Sequence, residues 1–269
     1  MNKQSVTLVR SIQKITAVLL AFVVLVFIWH AAVLVFKIHP IILPSPWRVL
    51  LVAMQERQAL LEGFVATGAA AVLGLLSSVV LGSFIAILFS QSKLVRAALY
   101  PYVVFLQTVP IIAIAPLLIT WFGYGFKTVV LIASIISLFP IVSNVTTGLI
   151  SVDENLKALF YLNRATRLQT LFKLRIPLAI SHLILGSRIS AGLAVIGAIV
   201  GEFFVGNGSA EYAGLGTLMT GWQNLARTDA LIAVVFVSTL LGLTLLGIVN
   251  FIASVLLWRW TSNSDFERG

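Results

Sequence analysis

Cysteine is absent from this 269-residue chain, which removes disulfide frames, thiolate metal sites and thiol nucleophiles, and several enzyme classes with them. Charge is the second scarcity. Asp, Glu, Lys and Arg make up 10% of the residues, where a soluble domain carries roughly 25%, while 59% are hydrophobic. Such a chain cannot cover itself with polar surface, so its solvent is lipid. Histidine is rare, at three residues, and His30 and His182 lack companion ligands at metal-like spacing, so neither reads as a metal site. The net charge of +9 raises nucleic acid as a partner. Its Lys and Arg residues lie between apolar runs and not in one basic domain, so membrane orientation accounts for them and no nucleic acid is expected.

A helix that crosses a bilayer needs about 20 mostly apolar residues. Runs of that kind extend over Ile15–Phe36, Gly63–Ser90, Ala97–Phe126, Thr128–Val152, Leu178–Val205 and Ala230–Trp258. The expected fold is therefore all-α, a polytopic membrane protein whose six transmembrane helices occupy residues 15–258. The first run is longer than the roughly 7–15-residue core of a signal peptide and has no A-x-A-like site, which predicts a retained helix. Pro101, Pro110 and Pro116 predict a kinked third helix, and W-F-G-Y-G ends it. With the amino terminus cytoplasmic, the inside segments hold Lys3, Arg10, Lys14, Lys93, Arg96, Lys157, Arg164, Arg167, Lys173, Arg175, Arg259 and Arg268. The outside segments then hold Lys37, Arg48, Arg57, Lys127 and Arg227. That bias places both termini, 1–14 and 259–269, in the cytoplasm. No internal repeat or low-complexity linker divides the chain, which makes it one membrane domain.

The long inside loop, 151–177, is amphipathic. Leu156, Leu159, Phe160, Leu168, Leu171, Phe172 and Leu174 recur at helical spacings of three and four, with charges on the other faces. Periodicity alone leaves two readings open: a helix lying on lipid headgroups, or a helix filling a groove on a soluble partner.

The stretch A-T-R-L-Q-T-L-F-K-L-R-I-P, Ala165 to Pro177, resembles the coupling segment of binding-protein-dependent ABC importer permeases in its small-residue turn, second short helix and proline. Two departures stand out. Arg164 occupies the place of the family's glycine, a position where only glycine reaches left-handed backbone cheaply, and Ala158-Leu159-Phe160 replaces the acidic-Ala-Ala signature. I-L-P-S-P-W-R-V (42–49), T-V-P-I-I-A-I-A-P-L-L-I-T-W-F-G-Y-G (108–125), F-P-I-V-S-N (139–144), A-V-I-G-A-I-V-G-E-F-F (194–204) and G-L-G (214–216) are similar to the branch importing nitrate, sulfonates, taurine and thiamine-precursor pyrimidines.

The resemblance implies a multi-pass permease of the bacterial plasma (inner) membrane that is not itself an enzyme. A cytoplasmic ATP-binding-cassette ATPase would grip Leu156, Leu159, Phe160, Arg164, Ala165, Thr166, Arg167, Leu171, Phe172 and Pro177. This chain would bind no cofactor, with ATP and Mg used by the ATPase. An extracytoplasmic solute-binding protein would dock on Asn207–Asp229, and two copies of the chain would face each other as a homodimer in lipid. The nearest approach to a phosphate loop, Gly123 to Thr128, has Phe126 where glycine is required before Lys127, so it reads as a turn.

Gln107, Thr108, Ser137, Asn144 and Glu202 are the candidates for a translocation path. Ser143 lies near them, and interhelical hydrogen bonding explains the same residue types. Glu202 is the sole acidic residue inside a span, a functional candidate by cost alone, with a structural hydrogen-bonding role as the alternative. Arg188, about 21 Å away along a helix at 1.5 Å per residue, either snorkels or attracts an anionic substrate. Ser190, Ala194, Gly197 and Gly201 form a small-residue stripe suited to close packing, within the chain or across a dimer. The rival readings are a self-contained secondary transporter or channel, which needs coupling-ion carboxylates, and an intramembrane enzyme, for which no catalytic constellation is present.

Overall fold

The structure, a computed structural model, describes residues 3–206 and 213–261, and every regular element among them is helical. In chain order these are α1 (Lys3–Val35), α2 (Pro46–Gln55), α3 (Arg57–Gln91), α4 (Lys93–Thr108), α5 (Ile111–Phe122), α6 (Phe126–Ile150), α7 (Glu154–Leu162), α8 (Arg167–Thr170), a π-helical turn (Leu171–Arg175), α9 (Ile176–Val205), α10 (Leu215–Asn224) and α11 (Thr228–Thr261).

Four helical stretches are long and apolar enough to cross a membrane: Arg57–Gln91, Phe126–Ile150, Arg167–Val205 and Thr228–Leu256. The third expected span differs from its reading as one kinked helix. It is a pair, α4 and α5, bent by 99° at Thr108–Ile111. Pro110 sits at that break, where it removes a backbone donor and forces extended geometry on Val109. Counted as one span, the pair makes a fifth. The first expected span lies on α1, whose described apolar stretch is Leu20–Val35. The chain is thus a polytopic helical membrane protein, with four or five spans among the described residues by length and composition.

The centre is a packed trio of α3, α6 and α9. Its lining is built from small residues: Ala70, Ala71, Ala133, Ala191, Ala194 and Ala198 are all fully buried. In lipid the driving force between helices is close packing and not hydrophobicity, so small side chains at crossings decide which faces meet. The stripe Ser190, Ala194, Gly197, Gly201 turns inward onto α6. A Cβ placed on Gly197 would lie 2.7 Å from the Ala133 Cα, and the Ser190 hydroxyl donates to the Ser137 carbonyl at 2.6 Å. Of the two readings of the stripe, packing within the chain is the one observed. Gly197→Leu is expected to destabilise the bundle by about 3 kcal/mol, the upper end for an overpacked core. Thermal melting in detergent checks this, and an unchanged melting temperature would contradict the crossing.

The two ends of the bundle differ. At one end α6 meets the π turn and α9, and the Arg175 guanidinium donates to the Ser90 carbonyl at the end of α3 at 3.1 Å. At the other, α2 is tied to the start of α11 by Arg48–Asp229 at 2.9 Å, and Arg227 pairs with Glu56 at 2.8 Å. Helix α2 opens as S-P-W-R permits: Ser45 caps it through the Arg48 amide and Pro46 occupies its first turn, where its missing N–H costs nothing. Of the expected outward segment Asn207–Asp229, residues 207–212 lie outside the described residues, and Leu215–Asn224 folds as α10.

Candidate functional site

Residues 151–177 form a protruding two-helix handle. Asp153 caps α7, its carboxylate accepting from the Asn155 amide at 2.6 Å. Nothing in α7 is buried. Leu159, Tyr161 and Leu162 are exposed at 53%, 83% and 78%, an apolar surface on the end of the molecule that none of the described residues covers. Leu156, Leu168 and Phe172 are exposed too, and Phe160 is half-buried.

The turn after α7 satisfies its last carbonyls in a Schellman pattern: Ala165 N–H donates to Phe160 O at 3.0 Å and Arg164 N–H to Tyr161 O at 2.9 Å. That geometry requires a left-handed residue, and Arg164 adopts it at φ +53°. The turn keeps the shape a glycine would give it, at a backbone cost of about 1–2 kcal/mol. Immediately after, Thr166 and Gln169 make a reciprocal capping box for α8: the Gln169 amide donates to the Thr166 hydroxyl at 3.2 Å, and the Thr166 amide to the Gln169 side-chain carbonyl at 2.8 Å. T-x-x-Q is a legible helix start that the sequence reading passed over.

From Arg167 the helix runs without interruption to Val205, 39 residues. The π turn at Leu171–Arg175 comes just before Pro177, and an inserted residue of this kind is a common way for a helix to absorb a proline that cannot donate to the preceding turn. Leu171 departs from its expected partner-facing role. It is 5% exposed and packs with Ala86, Ile141, Val145, Leu149 and Ala179, because the extra residue of the π turn rotates that face inward. Leu171 roots the handle in the bundle, while Arg167 and Lys173 remain exposed and Ala165 and Pro177 are half-buried.

The path candidates separate into two groups. Gln107 and Thr108 are exposed at the α4–α5 bend, and the Thr108 hydroxyl donates to Phe105 O at 2.8 Å. Asn144 is half-buried and donates to the Pro140 carbonyl at 2.8 Å. Ser137 and Glu202, by contrast, are fully buried. The Ser137 hydroxyl bonds back to Ala133 O at 2.6 Å. Arg188 is exposed and lines a cavity of about 440 Å³ with Ser238 and Thr239.

Glu202 is the centre of a closed knot. Its Oε2 accepts from the Thr67 hydroxyl at 2.8 Å and from the Gly216 amide at 2.9 Å, and the Thr67 oxygen in turn accepts from the Leu215 amide at 2.8 Å. The carboxylate therefore sits on the amino end of α10, where free N–H groups and the helix dipole favour negative charge. Gly216 passes so close to α9 that a Cβ there would lie 2.2 Å from the Ile199 carbonyl. The motifs A-V-I-G-A-I-V-G-E-F-F and G-L-G are thus two halves of one contact. Thr67 was missed, and its only signal is that an intramembrane carboxylate needs a buried donor.

The profile described as "Binding-protein-dependent transport system inner membrane component" matches residues 78–260. The formylaminopyrimidine transport permease protein ThiX of Halalkalibacterium halodurans is 32% identical over 89% of this chain and 94% of its own length. The riboflavin transport system permease protein RibX of Chloroflexus aurantiacus is 32% identical over 87% and 86%. A crystal structure of an amino acid ABC transporter with histidines superposes with a TM-score of 0.60 at 18% identity, covering 75% of this chain and 96% of that one, a likeness of fold.

Proposed function

The chain belongs to the family of binding-protein-dependent transport system inner membrane components, and from that premise we propose that it works as one of two identical copies that together form a path opened and closed by a separate ATPase. The observation that carries this is the exposed apolar surface of α7 joined, through α8 and the π turn, to one unbroken helix reaching Glu202. A force applied at the handle then moves a rigid rod whose far end is fixed to α3 and α10. Rigid-body displacement of packed helices between two arrangements is the usual form of such a transition, and the ATPase supplies the differential binding energy between them.

In this reading the handle lies in the cytoplasm, both termini lie there too, and α1 completes six spans. Leu156, Leu159, Phe160, Arg164, Ala165, Thr166, Arg167 and Phe172 meet the ATPase, and Pro177 shapes the foot of α9. ATP and Mg bind to the ATPase. The opposite end, with α2 and α10, receives the solute-binding protein. Gln107 and Thr108 at the bend, with Asn144, face the path, since backbone breaks at membrane depth persist where they line a cavity. Ser137 and Glu202 hold the helices around it. The cargo class is a nitrogen heterocycle, supported by two relatives whose names state formylaminopyrimidine and riboflavin and that align over 94% and 86% of their own length.

Reconstitution tests the proposal. Proteoliposomes holding the chain, its ATPase and its binding protein are expected to accumulate solute only with ATP inside the ATPase's compartment, and the purified chain alone to hydrolyse none. Uptake driven by an ion gradient without the ATPase would replace this reading with a secondary transporter.

A further inference from the structure

At the handle end, three elements converge on a cavity of about 340 Å³. Lys93 and Arg96 come from the first turn of α4, Lys157 from α7 and Arg175 from the π turn. Glu154 is the one carboxylate on its wall, and Lys157 already holds it at 2.8 Å. Lys93, Arg96 and Arg175 have no carboxylate partner among the described residues. The Arg175 Nε is buried without a hydrogen-bond partner, although Nη1 of the same guanidinium reaches Ser90 O.

A second cavity, of about 410 Å³, shares Lys93 and Arg96 and runs along α4 past Tyr100 and Pro101, facing Ser143 and Thr146 of α6. The Thr146 hydroxyl on this wall is 3% exposed at the residue level and has no partner. Leu94 and Leu99, on the same helix, are exposed at 81% and 48%. The slot is therefore cationic where α4 begins, lined by a free hydroxyl further in, and flanked by bare apolar surface.

Lys and Arg beside membrane spans ordinarily mark orientation and need no ligand. That explanation covers exposed side chains pointing to water. It does not cover cations from three elements gathered on one cavity with buried donors unmatched, since buried polar groups are nearly always bonded to something. Arginine matches phosphate oxygens with paired donors, and basic pockets between spans at a membrane surface hold anionic headgroups.

We propose that this slot binds an anionic phospholipid, its phosphate held by Lys93, Arg96 and Arg175, its glycerol ester near the Thr146 hydroxyl, and its chains along α4. The bound lipid ties α4, and so the bent pair, to the foot of α9 and to the handle. This site does not depend on the ATPase reading, because it uses only the bundle and its membrane.

The test is native mass spectrometry and thermal melting of the full chain with phosphatidylglycerol or phosphatidylcholine. Phosphatidylglycerol is expected to stay bound and raise the melting temperature above that seen with phosphatidylcholine. Lys93→Gln with Arg96→Gln breaks no side-chain hydrogen bond among the described residues, so the fold persists, and retention of phosphatidylglycerol should fall roughly 30-fold, at about fivefold per cation. Thr146→Val should weaken retention further without altering melting in phosphatidylcholine. Equal retention of both lipids, or a double variant that holds phosphatidylglycerol as well as the parent, overturns the proposal. Inorganic phosphate reproducing the shift without lipid overturns the lipid source in favour of a soluble anion. Loss of ATPase binding by the double variant without any lipid preference overturns it in favour of a protein contact.

Discussion

Inserting two glycines between Ala165 and Thr166 is expected to loosen the ATPase and sharply reduce ATP-driven uptake while leaving the bundle folded. The insertion falls between two locally closed units: the Schellman turn that ends α7 and the capping box that starts α8. Each persists on its own side, so the core packing of Leu171 and Leu174 is untouched. What is lost is the fixed angle between the exposed face of α7 and the rod Arg167–Val205. Coupling between sites ordinarily amounts to about 1–3 kcal/mol, so its loss should reduce uptake by up to roughly 100-fold, at 1.4 kcal/mol per tenfold.

Charge reversal at Arg167 or Lys173 should weaken co-purification of the ATPase in the same direction, since both side chains are exposed beside that face. Arg164→Gly is the informative control. Arg164 sits at φ +53°, where glycine is at ease, so this variant should keep both coupling and fold. ATPase co-purification and uptake are the measurements. Retention of both by the insertion variant would mean that the handle is not where force enters.

Much of this architecture was legible, for identifiable reasons. Apolar run length located α3, α6, α9 and α11, because lipid imposes a length on any helix that crosses it. The amphipathic period located the handle, because its charges and apolar residues alternate at helical spacing. Proline located the break in the third run but not its angle. Three prolines predict lost donors, whereas the 99° bend depends on what α6 offers as support, and that is tertiary. The inward turn of Leu171 was hidden for a similar reason. Leu171 and Phe172 follow Leu168 by three and four residues, which on a regular helix puts both beside it on one face, and one π turn shifts the face by a residue. Helices α2 and α10 were too short and mixed for run length to find, yet S-P-W-R carried a capping signal for α2. The role of Glu202 was left between two alternatives, since a carboxylate's partner at position 67 lies 135 residues away in sequence.

Glu202 admits a direct decision between transport chemistry and architecture. Its carboxylate is fully buried and receives the Thr67 hydroxyl and the Gly216 amide. Glu202→Ala leaves both donors without an acceptor in a region water does not reach. At about 1–3 kcal/mol for each buried donor left unpaired, the expected loss is on the order of 2–6 kcal/mol, a large part of the stability of most folded proteins. Glu202→Gln keeps an oxygen in the same place, so it should melt close to the parent and still transport. Gly216→Ala changes no polar group, yet its Cβ would stand 2.2 Å from the Ile199 carbonyl, which forces α10 off α9 and opens the same knot. An architectural Glu202 therefore predicts that Glu202→Ala and Gly216→Ala fail together, in melting and in uptake, while Glu202→Gln does not. Were Glu202 a proton carrier or a ligand for cargo, Glu202→Gln would abolish uptake with its melting temperature intact, and Gly216→Ala would not share its phenotype.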